Sequence, residues 1–110
     1  MLLAGLFALG PIGPALAETV RIRAVFDGGY VWRPKSKSIA TGSTVRWKAV
    51  DGSHTIKSRG SNWSYSVSLP AGSAVSRTFN ATGTFRYYCT LHGSVTNGVC
   101  TGMCGRIVVS

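Results

Sequence analysis

The feature that most constrains this chain is an alternation of polar and apolar residues that recurs along it, with turn residues in between. Thr19-Val-Arg-Ile-Arg-Ala-Val25 alternates, as do Thr44-Val-Arg-Trp-Lys48, Tyr65 to Leu69, Ala74 to Phe79 and Thr84 to Tyr88, and the chain ends on Arg106-Ile-Val-Val109. A period of two puts successive side chains on opposite faces of a pleated strand, so one face can be buried while the other meets water. Gly28-Gly29, Thr41-Gly42-Ser43, Asp51-Gly52-Ser53, Pro70-Ala71-Gly72 and Ala81-Thr82-Gly83 supply turns at short spacing. Short, regularly spaced strands without an amphipathic helix imply an all-β fold, a Greek-key β-sandwich or barrel. Trp32, Trp47, Phe79 and Phe85 are read as its core aromatics.

The first part of the chain reads differently. Met1 to Ala17 is apolar and uncharged, bends at Pro11 and Pro14, and closes on Ala15-Leu16-Ala17. That small-x-small ending marks a signal-peptidase site, although no Lys or Arg precedes the apolar stretch. The expected organisation is therefore a signal peptide over 1–17 and one domain over 18–110, periplasmic or extracellular, of a size that a single core can stabilise.

All charge falls in that domain. Twelve Lys and Arg stand against Glu18, Asp27 and Asp51, a net +9. Such a charge favours acidic partners, anionic lipid surfaces or acidic wall polymers. Nucleic acid is disfavoured, because the cations are scattered from Arg21 and Arg23 through Lys35 and Lys37 to Arg77 and Arg86 without a basic run.

Export makes the three cysteines informative. Cys100 and Cys104 lie four apart in a Gly-rich segment and are expected to pair as a disulfide, which leaves Cys89 free. A free thiol in an oxidising compartment needs burial or a metal. His92 follows Cys89 by three residues, just after a strand, so a short loop can aim a thiolate and an imidazole at one point. The remaining histidine, His54, follows the turn Asp51-Gly52-Ser53 and leads into another strand. A trigonal His₂Cys set with a long axial Met is the blue-copper arrangement, and Met103 is the candidate for the axial place.

The whole domain resembles the cupredoxins, in particular the plastocyanin and amicyanin-like group. The resemblance runs through Trp32-Arg-Pro34, Ile39, Gly42-Ser-Thr-Val45, Trp47, His54-Thr-Ile56, Gly83-Thr-Phe85, Tyr88-Cys89, His92, Gly102-Met103 and Gly105. It implies a two-sheet Greek-key barrel holding one type 1 copper through His54, Cys89, His92 and Met103. It further implies one-electron transfer to and from a redox partner, with His92 as the exit; the charge makes an acidic docking surface the expected match on that partner. A monomer and a non-enzyme are expected. The chain departs from the family's pattern at Ala49, where an Asn usually braces the Cys-bearing loop, at Leu91, where Pro is common, and in the long separation of His92 from Met103.

Two other functions compete. Cys89, His92, Cys100 and Cys104 form a Cys₃His set that a structural zinc ion would accept. A copper carrier or store without electron transfer would start from the blue-copper ligands themselves. A multicopper oxidase or nitrite reductase is disfavoured, since further coppers need further histidine ligands and the chain has two histidines.

Overall fold

The structure, a computed structural model, describes residues 16–110. The expected signal segment, 1–17, thus lies outside the described residues apart from Leu16 and Ala17. Every regular element among the described residues is a strand: β1 (Thr19–Phe26), β2 (Tyr30–Arg33), β3 (Ser36–Ile39), β4 (Thr44–Ala49), β5 (His54–Arg59), β6 (Ser66–Leu69), β7 (Ala74–Thr78), β8 (Gly83–Thr96) and β9 (Val99–Val109).

They form two mixed sheets, β3-β9-β8-β5-β6 and β2-β1-β4-β7, which face one another as a β-sandwich of the Greek-key kind. In the second sheet β1 runs parallel to β4, with Val20 opposite Val45, Ile22 opposite Trp47 and Ala24 opposite Ala49. In the first, β9 runs parallel to β3 and antiparallel to β8.

The alternation in the sequence is the alternation of the sheets. Val20, Ile22 and Ala24 of β1, Val45, Trp47 and Ala49 of β4, and Phe85 and Tyr87 of β8 point inward and share one core with Trp32, Ile56, Leu69, Phe79, Ile107 and Val109. All four expected core aromatics are buried. Tyr87 is fully buried, and burial pushes its hydroxyl far above the ordinary tyrosine range, so it stays neutral.

Candidate metal centre

Three strands deliver the chemistry to one end of the sandwich by continuing their inward faces. On β8 the buried residues are Phe85, Tyr87 and then Cys89; on β9, reading backward, they are Val109, Ile107, Gly105 and then Met103; on β5 they are Ile56 and His54. Cys89 and His54 are therefore the last inward steps of strands whose other inward residues are core.

The pairing of β8 with β9 then breaks at one place. Gly83 to Tyr88 pair with Val109 to Cys104, and pairing resumes at Gly93 opposite Gly102. Between these two stretches Cys89-Thr90-Leu91-His92 stands against Met103 alone. The extra residues are expelled as a bulge that turns His92 back over Cys89. The resumption needs glycine on both strands: a Cβ on Gly93 would lie 2.9 Å from the Met103 nitrogen, and one on Gly102, at φ +83°, would strike the His92 carbonyl.

The three groups converge. Cys89 Sγ lies 3.6 Å from His92 Nδ1 and 3.8 Å from His54 Nδ1, and the two nitrogens are 3.2 Å apart. His54 is held by its other nitrogen, Nε2, which donates to the Asp51 carbonyl at 2.6 Å. A carbonyl only accepts, so Nε2 carries the proton and Nδ1 presents a lone pair to the cluster. Burial, and then the facing His54, hold the partly exposed His92 imidazole below its ordinary range, which keeps it a neutral donor. Cys89 is fully buried and accepts from the Thr55 amide, Sγ to N 3.4 Å. A convergence of lone pairs from two imidazoles and a sulfur, with the outer nitrogen of His54 already committed to Asp51, is what a cation accepts.

Two residues that sequence reasoning passed over complete the site. Thr55 accepts from the Thr90 amide at 2.8 Å and hydrogen-bonds its hydroxyl, also at 2.8 Å, so the first histidine's neighbour ties β5 to the cysteine loop. Tyr30 reaches in from the opposite sheet, its ring centroid 5.0 Å from His54 and 4.3 Å from His92. A signal for Thr55 was available, since a hydroxyl residue beside a candidate ligand is placed to brace it; Tyr30 carried none, because its partners are distant in sequence.

No family model matches the sequence, and no curated protein is similar to it in sequence. Solved structures are similar in fold. A novel purple cupredoxin from Nitrosopumilus maritimus is 22% identical with a TM-score of 0.62, over 82% of this chain and 98% of that one. Pseudoazurin from Methylobacterium extorquens AM1 is 18% identical with a TM-score of 0.65, over 84% and 75%. Amicyanin, in a reduced tryptophan-to-tyrosine mutant form, is 18% identical with a TM-score of 0.65, over 84% and 82%. The fold is that of the cupredoxins.

Within this cupredoxin sandwich the long separation of His92 from Met103 is not an open loop. Ser94–Thr96 and Val99–Thr101 pair as a hairpin tip closed by Asn97-Gly98, both at positive φ, 53° and 77°. Two such residues are what a type I′ turn requires. Cys100 and Cys104 form a disulfide across Met103, Cα to Cα 6.3 Å, and Cys89 is the free cysteine. That pairing removes the Cys₃His zinc alternative, because two of its four ligands are bonded to each other. Met103 is buried in the core cluster, and its carbonyl accepts from the Trp32 indole at 3.3 Å. Ala49 is also buried, and Thr55 supplies the bracing that a side chain there cannot.

Proposed function

We propose that this chain is an exported type 1 copper protein that carries single electrons between redox partners. The observation that carries this reading is the convergence of His54, Cys89 and His92, whose ligand atoms all lie within 4.8 Å of one another at the end of a cupredoxin sandwich. A thiolate with imidazoles suits copper over harder ions; the two Nδ1 atoms and Sγ would hold it, and the Met103 thioether would serve as a further, weaker donor. Copper held there supplies a one-electron couple and intense visible absorption.

The chain's part is to keep the ligands still. Copper(I) and copper(II) prefer different geometries, so a ligand set held in a compromise keeps rearrangement small. Asp51 fixes His54, Thr55 fixes Cys89, and paired strands on both sides fix the bulge. His92 is the partly exposed ligand, flanked by the exposed Leu91, and offers the edge at which electrons enter and leave. With no further histidine for a second copper, the protein is a carrier and not an oxidase. Residues 1–17 direct export, and the net +9 charge draws a monomeric carrier toward an acidic partner.

Voltammetry of the copper-loaded protein tests this. A reversible one-electron wave is expected; tight copper uptake without a reversible couple marks a copper carrier or store instead.

A further inference from the structure

A second concentration of chemistry lies on the outer face of the five-stranded sheet, away from the ligands. Arg59 of β5 pairs in register with Arg86 of β8, and Arg86 with Arg106 of β9. Three arginines thus stand in one row across adjacent strands. Like charges directly opposite one another destabilise a sheet, and neighbouring strands are only about 4.8 Å apart. Among the described residues no carboxylate pairs with them. The chain's carboxylates are elsewhere: Asp27 pairs with Arg33, Asp51 accepts from the Phe26 amide, and Glu18 lies at the start of β1.

The row is also organised. Arg59 donates through one terminal nitrogen to the Gly98 carbonyl at 2.9 Å, while its Nε is buried without a partner. Arg106 donates through Nε to the Ser36 hydroxyl at 2.9 Å. Both guanidinium groups are fixed by neutral acceptors, which position them and leave their charge intact. Together with Arg86 and Lys35 they line a cavity of about 400 Å³ walled by the Cys100–Cys104 disulfide. The four-stranded sheet also sets cations opposite each other, Arg21 against Arg46 and Arg23 against both Arg33 and Lys48, but there Asp27 pairs with Arg33, and none of these residues lines the cavity.

We infer that this cavity is a binding site for a small oxyanion carrying two or more negative charges. The cavity is larger than one phosphate fills, and guanidinium groups in a row present paired N–H donors to successive carboxylate or phosphate groups. The bound anion removes the repulsion along the row, so binding stabilises the fold. This site is independent of the metal reading, since none of its residues is a proposed ligand.

The test is calorimetric titration of the full chain, kept free of metal so that the probes have no ion to chelate, at about 0.15 M ionic strength. Pyrophosphate and citrate are the probes. Wild type is expected to bind one or both saturably, at one site per chain and with a rise in melting temperature. Arg86→Gln with Arg106→Gln should weaken binding about tenfold for each arginine removed. Arg21→Gln with Arg46→Gln, which removes equal charge from the other sheet, should leave it unchanged. Tighter binding of pyrophosphate assigns the site to phosphates, and tighter binding of citrate to polycarboxylates. Absence of saturable binding, or an equal loss in the Arg21 and Arg46 pair, would overturn the inference. The Arg86 and Arg106 variant should melt no lower than wild type without ligand; a lower melting temperature would mean that the row supports the fold rather than serving a ligand.

Discussion

The two halves of the β8–β9 hairpin are held by different forces. Its base, Gly83–Tyr88 against Cys104–Val109, places Phe85, Tyr87, Ile107 and Val109 in the core. Its tip, Gly93–Thr96 against Val99–Gly102, is largely exposed on both faces and depends on backbone pairing, the Asn97-Gly98 turn and the disulfide. The bulge that carries Cys89 and His92 lies between them. The stretch from His92 to Met103, long in sequence, is therefore short in space, because the added residues are absorbed as paired strand and the bulge is anchored from both sides.

The contrast is broken most severely at the base. Ile107→Ala should cost about 2–5 kcal/mol, as buried large-to-small changes do, whereas Val99→Ala at the tip should stay within about 0.5 kcal/mol; urea unfolding of both variants measures the difference. Equal losses would mean that the tip is packed after all. Next comes the disulfide. Cys100→Ser with Cys104→Ser removes a closure worth about 2 kcal/mol by the chain-entropy relation for so small a ring. Hydrogen exchange should then accelerate at residues 93–102 while the base stays protected, and unchanged exchange at the tip would show that its backbone pairing suffices alone.

A smaller effect is expected at the bracing residue. Thr55→Ala loses its links to Thr90 and should cost about 1 kcal/mol, with the visible band of the copper form displaced and restored by Thr55→Ser. A band identical to wild type would leave Thr55 no part in orienting the cysteine loop. The smallest change in stability belongs to Met103→Leu, which conserves volume. It should keep the protein coloured and raise its reduction potential, since a weak donor to copper(II) is lost. An unchanged potential would remove Met103 from the ligand set.

Much of this was legible in the sequence, for identifiable reasons. The inward faces of β1, β4 and β8 are buried on one side only, and that imposes the period of two which the residues display. The convergence of His54, Cys89 and His92 could be anticipated because the combination of residue types is rare and the turn before His54 marks a strand start, although Cys89 and His92 lie at a bulge inside β8 and not after a strand. Less could be seen of the hairpin tip, where both faces meet water and no alternation is enforced; Asn97-Gly98 between Val95 and Val99 was the signal for it. β2 opens on three successive apolar or aromatic residues, Tyr30-Val31-Trp32, and β3 on three successive polar ones, Ser36-Lys37-Ser38, so neither displays a period of two. The row Arg59–Arg86–Arg106 was invisible, because strand register alone brings these residues together.

The central claim is that Cys89, with His54 and His92, forms the copper site. The visible spectrum of purified, copper-loaded wild type beside that of Cys89→Ser tests it most directly. Wild type should show an intense visible band that a mild reductant bleaches, and Cys89→Ser should lack that band while its far-ultraviolet circular dichroism remains that of the folded sandwich. An intense band retained in folded Cys89→Ser, or no intense band in copper-saturated wild type, would contradict the assignment.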